Sequence, residues 1–222
     1  MLNKSEKTFS GIFVIILITE LISGSYNNLH MLHYIAKPAL LIALIIFFWI
    51  QSTALSYKIR SLTLLALVFS LLGDCLLMFV DQSAHFFISG LIAFLIAHVF
   101  YIVIFLKSRN RSKSPIGFII LMLIYGLGLF YVLKNGIGDL LIPVVIYMLV
   151  ILTMSTSSFL RRGKVSSLSF NLVFLGAILF MISDSLLALN KFYKPLPWSN
   201  ISIMLTYAFA QLSLVFGILK QQ

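Results

Sequence analysis

Four side chains able to carry charge stand inside otherwise apolar stretches of this 222-residue chain: Glu20, Asp74, His98 and Asp184. A fifth, Lys37, lies beside Pro38 near the edge of another such stretch. Ionisable groups at membrane depth are costly, usually face the interior of a helix bundle, and mark binding sites or proton pathways. Two carboxylates in such surroundings can divide acid–base work, because burial and mutual repulsion drive their titrations apart. Each group also has a plainer reading. Asp74 and Asp184 could bond to a neighbouring helix or to Lys37, Glu20 could be solvated near the surface, and Lys37 could snorkel to the interface. For His98 the plainer reading is packing.

Other chemistries are poorly served. Cys75 is the only cysteine, so no internal disulfide exists, and its apolar setting reads as packing. His30 and His33 are three apart and could hold a metal with an aspartate, yet only His98 lies at depth, so neither metal nor cofactor is expected. There is no phosphate-binding glycine loop, nucleophile elbow or thiol motif. Tyr147, Ile151 and Met154 fall on one face of a helix, and so do Tyr207 and Gln211; such spacing more often serves packing than chemistry.

The elements that position these residues follow from composition. Hydrophobic residues make up 61% of the chain and charged ones 10%, and the mean hydropathy is +1.08. A soluble domain carries about 25% charged residues, so the excess apolar surface must face lipid. Eight segments reach the roughly 20 apolar residues that a spanning helix needs: 9–26, 30–51, 59–80, 85–106, 115–134, 139–160, 168–190 and 198–219. Runs such as Leu40 to Ile50 do not alternate, which excludes a β-barrel. The expectation is an all-α bundle of eight transmembrane helices forming a single domain over residues 1–222. The first segment resembles a signal peptide, with Ser23-Gly24-Ser25 as a cleavage site, but its length and Glu20 favour a retained helix.

The net charge of +10 would suggest nucleic acid were it not distributed between apolar segments. Lys4, Lys7, Lys58, Arg60, Lys107, Arg109, Arg111, Lys113, Arg161, Arg162, Lys164 and Lys220 all fall on one side, against Lys37, Lys134, Lys191 and Lys194 on the other. This asymmetry places both termini in the cytoplasm. Glu20, Lys37, Asp74 and Asp184 then lie at similar depth from the outer face, with His98 and Gln211 deeper. Gly73-Asp74-Cys75-Leu76-Leu77 and Ser183-Asp184-Ser185-Leu186-Leu187 are alike, which suits a four-plus-four internal duplication. Gly90, Ala93 and Ala97 form a small-residue stripe, and Gly176-Ala177 precede Asp184, as close helix approach requires.

In order along the chain come Lys37-Pro38, Gly73-Asp74-x-x-Leu77-Met78, and Phe87-x-x-Gly90 followed by Phe94, His98 and Tyr101. Tyr147-x-x-x-Ile151-x-x-Met154, Gly176-Ala177-x-Leu179-Phe180-x-x-Ser183-Asp184-x-Leu186 and Tyr207-x-x-x-Gln211 complete the series. On these motifs the sequence resembles the YhhN family, bacterial relatives of the animal transmembrane lysoplasmalogenases. The resemblance implies an eight-helix fold in a bacterial inner membrane. It also implies hydrolysis of the vinyl-ether bond of a lysoplasmalogen, or of a related lysophospholipid or ether lipid, to a fatty aldehyde and a glycerophospho-headgroup. A vinyl ether offers a serine nucleophile no carbonyl; its difficult step is protonation of the β-carbon, giving an oxocarbenium ion that water captures. Asp74 and Asp184 are the expected acid–base pair, with Lys37, His98, Tyr101, Tyr147, Ser183, Tyr207, Gln211 and Glu20 binding substrate or supporting them. This division of labour is similar to that of glycosidase carboxylates. The competing expectations are a small-solute or lipid transporter that relays protons through the same carboxylates, and a non-catalytic lipid-binding membrane protein.

Overall fold

The structure is a computed structural model and describes residues 3–112 and 114–221. Lys113, expected in a basic loop, lies outside the described residues. Among those described, every long element is a helix: α1 Lys4–Ser23, α2 His30–Gln51, α3 Tyr57–Leu77, α4 Ala84–Lys107, α5 Ile116–Ile137, α6 Leu141–Phe159, α7 Ser167–Phe192 and α8 Ser199–Leu219. A backbone surrounded by hydrocarbon must satisfy its own polar groups, and the helix does so within one segment.

Six stretches are long and apolar enough to cross a membrane. Five are single helices or a helix with its last turn; the sixth, Ile116–Phe159, contains both α5 and α6. The break between those two helices comes at Gly138, whose φ of +53° lies in the left-handed region that favours glycine. α1 is not among the six, since it carries Lys4, Glu6, Lys7 and Glu20. It also starts earlier than its apolar run, because the Asn3 side chain and the Glu6 side chain cap each other's backbone N–H in a capping box.

The chain divides into two compact units, the first ending at Phe94 and the second beginning at Leu95, both within α4. In the first, α2 packs against α1 and α3. Phe9 stacks on Phe47 at 4.0 Å between centroids, above a core that includes Phe13, Leu40, Leu44, Phe48 and Leu67. The last turn of α3 approaches α4 closely. A Cβ at Gly90 would come within 2.9 Å of Leu77 and 3.4 Å of the Gly73 carbonyl oxygen, and one at Gly73 within 2.6 Å of the Phe94 ring. The stripe read in the sequence is thus a contact surface, and it fixes the position of Asp74.

In the second unit the most extensive pairing is α7 with α8. A Cβ on Gly176 would stand 2.9 Å from the Ala210 carbonyl oxygen, and one on Gly217 would stand 2.8 Å from the Val173 backbone nitrogen. Hydroxyls add ties: Ser169 Oγ donates to the Gly217 carbonyl at 2.6 Å and Ser183 Oγ to the Ile203 carbonyl at 2.9 Å. Small residues and short polar bonds are how helices associate where no hydrophobic force acts between them. One basic residue departs from its reading as a loop charge. Arg161, just past α6, has no exposed surface.

Candidate active site

Within the second unit, α4, α6 and α7 bring three polar side chains together. The Tyr147 hydroxyl donates to Asp184 Oδ2 at 2.5 Å. His98 Nε2 stands 3.9 Å from the same oxygen. His98 has no exposed surface, Tyr147 is buried, and the Asp184 side chain keeps 14% exposure. Helical spacing explains the placement: Phe180 and Asp184 lie one turn apart on α7, and the edge-on contacts of the His98 ring with Phe180 (4.5 Å) and with Tyr147 (5.4 Å) hold the imidazole beside the carboxylate. Neither nitrogen of His98 has a hydrogen-bond partner. A buried imidazole with both nitrogens unsatisfied is costly.

A second polar group lies on the other side of Phe180. The Tyr101 hydroxyl donates to Gln211 Oε1 at 2.9 Å, and Gln211 Nε2 donates to the Tyr207 hydroxyl at 3.4 Å. Phe180 meets the Tyr207 ring edge-on at 5.4 Å. The faces read from spacing are inward faces: Tyr147, Ile151 and Met154 are buried, and so are Tyr207 and Gln211. Ser183, grouped with the supporting residues, spends its hydroxyl on the Ile203 carbonyl and so ties α7 to α8.

The first unit holds the other sequence-derived residues. Asp74 is 3% exposed in the final turn of α3. Lys37 is half-buried in α2, which packs against α3. Of the two readings open for Glu20, solvation near the surface does not hold. Glu20 is 3% exposed, and its Oε1 lies 3.1 Å from His33 Nδ1. The partner arrives because His33 packs against Gly24, one turn beyond Glu20. Among the described residues, no three His, Cys, Asp or Glu side chains gather as metal ligands do.

Two residues near Asp184 escaped the sequence reading. The Tyr125 hydroxyl of α5 and the Ser185 hydroxyl lie 2.7 Å apart, and Ser185 also donates to the Met181 carbonyl. Tyr125 is a lone polar group in an apolar run, and nothing in its spacing pairs it with α7.

Long apolar helices enclosing a polar cluster define a polytopic integral membrane protein. The model of the YhhN family matches residues 32–218, all the helices after the first. The chain belongs to the YhhN family. Lysoplasmalogenase TMEM86B of Homo sapiens is 31% identical over 175 residues, covering 78% of this chain and 70% of that protein. Lysoplasmalogenase TMEM86A of Homo sapiens is 32% identical over 149 residues, 66% of this chain and 60% of that protein. Lysoplasmalogenase TMEM86B of Mus musculus is 31% identical over 155 residues, 70% of this chain and 62% of that protein. The chain thus spans between 60% and 70% of the length of these relatives. No solved structure matches it.

Proposed function

We propose that this protein is a membrane-embedded hydrolase of the lysoplasmalogenase type, cleaving the vinyl-ether bond of a lysoplasmalogen or a related lysophospholipid. The observation that carries the proposal is the buried Tyr147–Asp184–His98 cluster, in a chain whose named relatives are lysoplasmalogenases. In the reaction a proton adds to the β-carbon of the vinyl ether while the enol oxygen's electrons form an oxocarbenium ion. Water adds to that cation and loses a proton, and the hemiacetal collapses to a fatty aldehyde and the free hydroxyl of the headgroup. One water is consumed and no oxidant is needed.

Asp184 takes the role of the carboxylate that steadies the cation and activates water. Its Oδ2 accepts from Tyr147, and the neighbouring His98 has a nitrogen left to orient a water or relay its proton. Asp74 enters as the second carboxylate and proton donor on its own burial and its Gly-Asp motif. Lys37 is proposed to hold a headgroup phosphate. Tyr101, Gln211 and Tyr207 shape the region beside Phe180. Eight crossings within a single transmembrane domain, both termini in the cytoplasm and residence in a bacterial inner membrane complete the reading.

The deciding experiment incubates purified protein with a panel of lysophospholipids, vinyl-ether and ester forms side by side, and follows the products by mass spectrometry. Aldehyde release by the wild type and its loss in Asp184→Asn is the expected result. Intact lipid in detergent, together with substrate movement across proteoliposomes, would replace the hydrolase by a transporter.

A further inference from the structure

At the far end of α7 from Asp184, roughly 22 Å away along a helix rising about 1.5 Å per residue, a cation is buried with no counter-charge among the described residues. Arg161 has no exposed surface. Its Nη2 donates to Ser169 Oγ at 3.1 Å and to Gln221 Oε1 at 3.2 Å, and its guanidinium lies over the Phe105 ring at 5.5 Å from the centroid. Its Nε and Nη1 have no partner, and neither does the buried Gln221 Nε2. All three unsatisfied atoms are donors. The amide cannot be turned to change this, because its oxygen already faces the guanidinium.

No carboxylate among the described residues lies within ion-pairing distance of Arg161. Among the described residues of the second unit the acidic side chains are Asp139 and Asp184. Asp139 precedes α6 while Arg161 follows it, roughly 30 Å apart along a helix of this length. Burial pushes the guanidinium down to about 10, so it remains positive at neutral pH. Leaving a buried charge unpaired is strongly unfavourable. The neighbouring turns carry basic side chains, with Arg162 and Lys164 exposed on the same turn and Arg109 and Arg111 on the turn after α4. The two turns are stitched together, since the Asn110 backbone N–H donates to the Leu160 carbonyl at 2.8 Å and Asn110 Nδ2 donates to the Arg162 carbonyl at 3.0 Å.

We propose that Arg161 and Gln221 form a binding site for a phosphate group, distinct from the candidate active site, whose oxygens accept from Arg161 Nε, Arg161 Nη1 and Gln221 Nε2. The phosphate can belong to a phospholipid headgroup entering from the basic face or to free inorganic phosphate. Either supplies the acceptors and the negative charge that the described residues do not bring to this guanidinium.

The test uses delipidated full-length protein in detergent and follows its thermal midpoint in two arms. One arm titrates inorganic phosphate against chloride at matched ionic strength, and the other titrates phosphatidylglycerol in mixed micelles. A saturable rise in midpoint is expected in at least one arm: phosphate alone identifies a small-anion site, phosphatidylglycerol alone a headgroup site, and both the shared chemistry. The rise should vanish in Arg161→Met. Should that variant not fold, Gln221→Leu carries the test, with a half-saturating concentration raised about tenfold by loss of one hydrogen bond to a charged group. No rise in either arm, an equal rise in Arg161→Met, or an unchanged half-saturating concentration in Gln221→Leu overturns the site.

Discussion

The two aspartates at the centre of this chain occupy contrasting settings. Asp74 sits in the last turn of α3, next to a glycine that lets Phe94 press close, and is almost sealed from the outside. Asp184 sits mid-way through the second half of α7, receives a phenolic hydrogen bond, stands beside an imidazole, and keeps 14% of its side chain open. Similar pentapeptides thus present one carboxylate beside a close-packed ring and one joined to a phenol and an imidazole. The residue before the aspartate differs as well. Gly73 admits a ring, whereas Ser183 reaches across to the α8 backbone. Local sequence likeness therefore does not carry over the electrostatic surroundings, which are supplied by other helices.

The comparison can be broken by substitution. Asp184→Asn and Asp74→Asn should each lower turnover by roughly 10²–10⁴-fold, the usual worth of an acid–base group. The double variant should be little worse than the poorer single one, since groups acting as a unit are not additive. Near-normal aldehyde release by either single variant, with the protein still folded in detergent, would reduce that aspartate to a structural role. A smaller effect is expected for the neighbours, and it should fall on one carboxylate only. Tyr147→Phe removes a hydrogen bond to a charged group worth about 1.5–3 kcal/mol, so kcat should drop by roughly 10- to 100-fold. In an Asp184→Asn background the same change should cost little further.

The next effect in size is on stability. Gly176→Ala places a methyl group against the Ala210 carbonyl oxygen and should cost about 1–3 kcal/mol, read as a lowered thermal midpoint. Gly128→Ala on α5 meets nothing within 4 Å and should be neutral or mildly stabilising, by about 0.5–1 kcal/mol. Equal effects at the two glycines would show that α7 and α8 are not held by close approach. The smallest effect is expected from prolonged chelation, because the described residues gather no three metal-ligating side chains. Loss of activity that added zinc restores would recast both aspartates as metal ligands or their supports.

Much of the architecture could be read from residue types because lipid leaves a chain few choices. Runs of apolar residues long enough to span can only be helices, and their ends fall close to the expected positions: 30–51 is reproduced as His30–Gln51 and 198–219 as Ser199–Leu219. The start of α1 was misplaced because a capping box, not hydropathy, sets it. The candidate site was legible as a set of residue types but not as a set of partners. Buried polar residues announce themselves against an apolar background, yet their pairing depends on helix rotation, which no periodicity in one helix determines. Thus Tyr147 was visible and its bond to Asp184 was not, while Tyr125 and Ser185 went unnoticed. Arg161 shows the reverse error. A charge between two apolar runs reads as a topology signal, and only the fold reveals that it is enclosed.

The ties between α7 and α8 also bear on how the chain is made. Synthesis is vectorial, so α7 is complete before its partner exists. At that moment the hydroxyls of Ser169 and Ser183 lack their acceptors, the carbonyls of Gly217 and Ile203, which belong to residues not yet translated. The bare groove at Gly176 likewise waits for Ala210 and Leu214. Tyr147, by contrast, is already in place to receive Asp184. The aspartate is therefore chaperoned by an earlier helix while the surface behind it stays unfinished, and the last two helices must settle as one hairpin. A chain cut short before α8 would keep the carboxylate's phenolic partner and leave the most adhesive face of α7 uncovered.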